Sequence, residues 1–168
     1  MPRILAAALA AIFLAASPAA AAPGIAAASD LKFALDEIAR AWSRETGSSV
    51  RITYGSSGNF RRQIAEGAPF ELFLSADESY VLALAREGRL EDEGTLYAVG
   101  RLVLFAPPGS PVDPARGLEG LAQAARAGAV AKLAIANPAH APYGRAARQA
   151  LESAGAWKGL EGRLVLGE

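Results

Sequence analysis

The chain has 168 residues, with 17 basic and 17 acidic side chains, a single histidine and no cysteine. Zero net charge gives no support for binding nucleic acid or an anionic membrane surface. The lack of cysteine excludes disulfides and thiolate metal sites. At the N-terminus Arg3 supplies a positive charge, Ile4 to Ala16 is an unbroken apolar run, Ser17-Pro18 breaks it, and Ala19 to Ala22 offers small-residue cleavage sites. The apolar run is shorter than the ~20 residues a membrane span needs. Residues 1–22 therefore read as a secretory signal peptide, cleaved after Ala21 or Ala22 (Pro23 disfavours the second). The expected product is soluble and exported to a bacterial periplasm.

Strand and helix signals alternate along the remainder, which predicts an α/β fold with a largely parallel sheet. Gly24 to Ala28 is a weak strand candidate, because alanine is a poor strand former. Leu31, Leu35, Ile38 and Trp42 recur at helical spacing, with Asp36 and Arg40 set to pair at i,i+4 and Gly47 closing the helix. Val50 to Tyr54 reads as a strand, Asn59 to Glu66 as a short helix ending near Gly67, and Phe70 to Leu74 as a third strand. Ser75-Ala76-Asp77 opens a helix carrying Val81, Leu84 and Ala85 and stopped by Gly88, with Ser75 expected to act as its N-cap.

Tyr97 to Ala106 carries the strongest apolar strand signal of the mature chain, ending at Pro107-Pro108, and a Pro/Gly-rich loop runs on to Arg116. Leu118 to Ala127 is predicted helical, Lys132 to Ala136 a strand, Asn137 to Tyr143 a loop and Arg145 to Ala154 a helix closed by Gly155. Leu160 to Leu166 is expected to form a last strand. The chain has no internal repeat. Two lobes are expected, residues 23–98 and 99–168, with the boundary at Ala98 to Arg101.

Two serine-bearing stretches, Ala26-Ala27-Ala28-Ser29-Asp30 and Tyr54-Gly55-Ser56-Ser57-Gly58, sit where a strand signal gives way to a helix. A helix N-terminus offers unpaired N–H groups and partial positive charge, and a serine there adds a hydroxyl donor. Tyr143-Gly144 repeats the arrangement after the Asn137–Pro142 loop. Catalytic patterns are missing by comparison. Gly55-Ser56-Ser57-Gly58 has its second glycine too early for a nucleophile elbow, His140 is alone in a Pro-rich loop and reads as a surface residue, and no phosphate-binding glycine pattern occurs. One histidine and scattered carboxylates make no metal site. Arg61 and Arg62 read as solvated surface. The chain is not expected to be an enzyme.

The co-linear set of motifs carries more than its parts. Ala26-Ala27-Ala28-Ser29-Asp30-Leu31, then Ser56-Ser57 with Arg62-Gln63-Ile64 and Gly67-Ala68-Pro69, then Leu72-Phe73-Leu74-Ser75-Ala76-Asp77, and finally Asn137-Pro138-Ala139-His140-Ala141-Pro142-Tyr143-Gly144 together resemble the periplasmic molybdate-binding proteins. The resemblance runs from Ile25 to the C-terminus. Glu71 stands where that family usually has aspartate.

The resemblance implies a monomeric substrate-binding subunit of an ABC importer, with two α/β lobes closing over molybdate or tungstate and a membrane permease as partner. By motif position Ser29 and Ser57 are ligand-binding serines, and Tyr143 donates its backbone N–H. It implies no cofactor and no side-chain ligand to the metal centre. Family members continue past Glu168 with further strand and helix, so the second lobe and the return of the chain are expected to be incomplete. The alternatives are binding of a sulfate-like oxyanion and a truncated remnant that binds nothing.

Overall fold

The computed structural model describes residues 21–167; the apolar run of the expected signal peptide and Glu168 lie outside the described residues. The alanine-rich stretch is the central strand of a parallel sheet. β1 (Gly24–Ala28) pairs with β2 (Arg51–Gly55) on one side and β3 (Leu72–Leu74) on the other, and every residue of β1 is buried. Burial overrides the poor strand propensity of alanine. A parallel strand covered on both faces has no polar side to show, and small side chains let its neighbours approach closely.

α1 (Lys32–Thr46) connects β1 to β2 through a 3-10 turn at Ser29–Leu31, and it ends at Gly47 in the left-handed conformation (φ 69°). Its expected Asp36–Arg40 pair does not form. Asp36 instead pairs with Lys32 at 3.2 Å and accepts the Tyr54 O–H at 2.6 Å, which ties α1 to β2. No residue of α1 is buried, and Ile38 and Trp42 remain exposed although their spacing reads as an apolar face. α2 (Ser57–Ala65) leads to β3, and α3 (Glu78–Arg86) follows it. Both helices pack on β1 through Phe60, Ile64 and Leu84 against Ala26, with the Phe60 and Phe70 rings edge to face at 5.5 Å. The cap of α3 is Asp77, whose carboxylate accepts the Ser79 N–H at 2.8 Å. Ser75, expected in that role, is buried two residues earlier and bonds to both backbone groups of Asp77.

A second parallel pair, β4 (Leu133–Ala136) and β5 (Leu164–Gly167), belongs to a separate core. α4 (Gly117–Arg126), α5 (Pro142–Ser153) and the short α6 (Trp157–Leu160) bury Leu121, Ala125, Leu151 and Leu160 there, together with Val130. Leu160, expected to open the last strand, is the fully buried end of α6, and the strand starts at Leu164.

The strongest strand signal, Tyr97 to Ala106, forms no strand. A strand exists only where a neighbour accepts its ladder of hydrogen bonds, and among the described residues no strand of either sheet pairs with this segment. Val99, Val103 and Phe105 are all at least 80% exposed. Side-chain contacts hold the segment instead. The Tyr97 O–H donates to the Ser75 carbonyl at 2.7 Å, and Gly100 lies so close to Tyr143 that a Cβ would sit 2.9 Å from the ring Cζ.

Candidate functional site

β1 and β2 run in register to the pair Ala28 and Gly55, so the residues that follow emerge on one edge of the sheet. Ser29 starts the 3-10 turn after β1, while Ser56 occupies the N-cap position of α2 without a side-chain capping bond and Ser57 is the first residue of that helix. The order β2-β1-β3 reverses direction at β1. The carboxyl ends of parallel strands at such a reversal are where open α/β sheets take up ligands.

Ser57 is fully buried, and its Oγ accepts the Ala76 N–H at 3.0 Å. That bond uses the hydroxyl as an acceptor and leaves its own hydrogen to be donated. Ser29 is exposed on the same edge. Tyr143 is the second residue of α5, so its backbone N–H lies in the turn that has no intrahelical acceptor. Its phenol donates to Asp30 at 3.2 Å, next to Ser29. The His140 carbonyl accepts both the Ser56 O–H at 2.6 Å and the Gly58 N–H at 3.1 Å, the two residues flanking Ser57. Bonds among their neighbours thus link the turns that carry Ser29, Ser57 and Tyr143.

Two glycines show how tightly that place is drawn. A Cβ on Gly144 would stand 2.3 Å from the Ala136 carbonyl oxygen and 2.6 Å from the Asn137 carbonyl carbon, so the first turn of α5 rests directly on the end of β4. A Cβ on Gly58 would stand 2.5 Å from the His140 carbonyl oxygen and 2.9 Å from the Tyr80 hydroxyl. Both positions exclude any side chain without movement of the backbone opposite.

His140 is a correction to the surface reading. It is half-buried, with Nδ1 3.0 Å from Ser56 Oγ. The pair does not make a nucleophile and base, because Ser56 donates its hydrogen to the carbonyl of His140 rather than to the ring. Arg61 and Arg62 behave as expected of a surface: Arg61 pairs with Glu87, and Arg62 bonds Asn59 at 2.7 Å. A shallow hollow of about 520 Å³ lies along α1 and β2, lined by Lys32, Asp36, Arg40 and Tyr54, and it holds none of the serine edge.

One cation and one anion near the site cancel as a pair. Arg145, in the first turn of α5, pairs with Asp77, and its guanidinium lies over the Tyr80 ring at 4.6 Å. Burial alone would raise Asp77, but hydrogen bonds from Ser79 and the Arg145 charge outweigh it and hold the carboxyl below its ordinary value. Burial, reinforced by the Asp30 carboxylate, pushes the Tyr97 and Tyr143 phenols upward. Both therefore stay neutral donors at neutral pH. Among the described residues no group of three or more His, Cys, Asp or Glu could hold a metal ion, and no helix is long and apolar enough to cross a membrane.

The pairings of Asp30 with Tyr143 and of Asp77 and Tyr80 with Arg145 carried no local signal in the sequence. Their partners lie far along the chain, 68 residues from Asp77 to Arg145 and 113 from Asp30 to Tyr143. Only a motif that already placed Tyr143 beside the serine turns could have pointed to them.

Residues 24–168 match the family model of bacterial extracellular solute-binding proteins. The molybdate-binding protein ModA of Rhodobacter capsulatus is 40% identical over 168 residues, covering 96% of this chain and 62% of that protein. The ModA of Azotobacter vinelandii is 38% identical over 162 residues, covering 95% of this chain and 62% of that protein. Among solved structures, the periplasmic molybdate-binding protein of Azotobacter vinelandii aligns with a TM-score of 0.63 at 28% identity, over 86% of this chain and 62% of that one. The chain thus spans less than two thirds of the length of these relatives, and the α/β fold it shares with them is covered in part. With residues 24–168 matched and the fold in agreement, the chain belongs to the family of bacterial extracellular solute-binding proteins.

Proposed function

We propose that the chain binds molybdate, or the isostructural tungstate, in the periplasm and delivers it to the membrane permease of an ABC importer, with Ser29, Ser57 and the Tyr143 backbone N–H as donors. The observation that carries this reading is Ser57. A fully buried hydroxyl at a helix N-terminus, fixed as an acceptor by Ala76, has one hydrogen left to donate, and the loop before α5 meets that turn through the His140 carbonyl. A dianion in a dry cleft needs each oxygen satisfied, and charge-assisted bonds from neutral donors supply this without a cationic side chain. Such donors also select a fully deprotonated oxyanion, since a protonated one would find no acceptor for its O–H. The metal centre keeps its own oxygens. No group is transferred, no cofactor takes part, and the chain acts as a monomer. The relatives named for molybdate binding support the choice of anion.

Thermal unfolding with molybdate, tungstate and sulfate tests the reading. Ligand at 100 times its dissociation constant adds about 2.7 kcal/mol to the stability of a protein that binds it only when folded. Molybdate and tungstate are expected to raise the melting temperature and sulfate to leave it unchanged. An equal rise with sulfate overturns the choice of anion. No shift with any of the three overturns binding by these residues.

A further inference from the structure

Among the described residues, the ion pairs Lys32–Asp36, Arg61–Glu87 and Arg148–Glu152 each stay on one side of the molecule. The pair between Arg145 and Asp77 joins the two sides. Asp77 caps α3, whose Leu84 is buried in the core beneath β1, and Arg145 belongs to α5, whose Leu151 is buried in the core beneath β4 and β5.

The pair is built so that each partner is already held. Asp77 spends one carboxylate oxygen on the Ser79 N–H at 2.8 Å and turns the other to Arg145. The Arg145 guanidinium is stacked at 4.6 Å over Tyr80, a residue of α3 itself. The Tyr80 hydroxyl in turn comes up against Gly58 in the first turn of α2. A continuous set of contacts therefore runs from the turn that holds Ser57, through Tyr80 and Arg145, to the turn that holds the Tyr143 N–H. Preorganised partners lose less conformational freedom on pairing, and a planar guanidinium suits both the carboxylate and the ring.

We propose that Asp77, Tyr80 and Arg145 are positioning residues for anion capture: they clamp the first turn of α5 opposite the first turn of α2 and so hold a bound oxyanion in place. None of the three touches the anion. This inference rests on the function proposed above. The clamp holds an anion already seated between the two turns, so its loss speeds release of the anion more than it slows capture.

The test measures molybdate affinity by titration calorimetry and release by stopped-flow, with urea midpoints alongside, for the parent chain and for Asp77→Asn, Arg145→Gln, Arg145→Lys and the double variant Asp77→Asn/Arg145→Gln. Asparagine retains the helix cap at 77, so Asp77→Asn folds. Expected are a loss of affinity of about tenfold in Asp77→Asn and in Arg145→Gln, carried by faster release, with the urea midpoint little changed. The double variant should be no weaker than the worse single, and Arg145→Lys should recover part of the loss by restoring charge without the stacked plane. Affinity and release equal to the parent in both single variants overturn the clamp while leaving the proposed function standing. Losses that add in the double variant also overturn it. A parent chain that binds no molybdate overturns the clamp together with the function on which it rests.

Discussion

Replacing Gly144 with alanine tests how closely α5 is seated at the site. An alanine in place of a helical glycine normally adds about 0.5–1 kcal/mol of stability, because the unfolded chain has less freedom to lose. At position 144 the added methyl would meet Ala136 O at 2.3 Å, Asn137 C at 2.6 Å and Ala136 C at 2.7 Å. All three are backbone atoms, of the last residue of β4 and the one after it, so no flexible side chain can swing away. Relief requires α5 to move, and overpacking of this kind costs about 1–3 kcal/mol. The expected result is therefore destabilisation, with the Tyr143 N–H displaced from the serine edge. Gly159→Ala is the control, because its methyl would meet Ala125 at 3.6 Å (Cβ) and 3.9 Å (carbonyl C and O), all ordinary contacts. Urea unfolding followed by tryptophan fluorescence should give a lower midpoint for Gly144→Ala and an unchanged or higher one for Gly159→Ala. A Gly144→Ala chain as stable as the parent would refute the seating of α5 on β4.

Three further outcomes can be measured on the same chain. Leu84 is fully buried between α2, α3 and β1, so Leu84→Ala should cost about 2–5 kcal/mol in urea unfolding; a loss within 0.5 kcal/mol, a size typical of surface changes, would contradict that core. Ser57→Ala leaves the Ala76 N–H without its acceptor, a penalty of about 1–3 kcal/mol, and should also remove the molybdate-induced rise in melting temperature. Retention of both would show that the hydroxyl has neither role. Burial, with the bond donated to Asp36, pushes the Tyr54 phenol from 10.0 up to about 12. The folded state thus favours the neutral phenol, whose contribution to stability is complete below pH 10 and is lost as the pH rises through about 12. The stability gap between the parent and Tyr54→Phe should shrink across that window, and parallel curves would argue against the shift.

Most helices and strands were legible because their signals are local. Gly47, Gly88 and Gly155 each stop a helix at the expected residue with positive φ, the conformation only glycine adopts without strain. β4 and α4 fall within a residue or so of the segments their periodicity marked. The readings that failed depended on distant neighbours. Tyr97 to Ala106 has every property of a strand except a partner, while Gly24 to Ala28 is weak in propensity yet becomes the central strand because helices and strands cover it. Apolar spacing in α1 marked Ile38 and Trp42 as one face, but nothing among the described residues covers them.

The candidate site divides along the same line. The sequence marked the turns at Ser29, at Ser56-Ser57 and at Tyr143 as candidates, because a serine or a free N–H at a strand-to-helix turn has its chemistry from the few residues around it, and the family resemblance proposed their roles. It could not give the register that pairs Ala28 with Gly55, the Ala76 bond that orients Ser57, or the contacts of Asp77, Tyr80 and Arg145 that join the two cores. Those depend on groups tens of residues apart meeting at fixed distances, and only packing of the folded chain selects such meetings from the many that composition and periodicity allow.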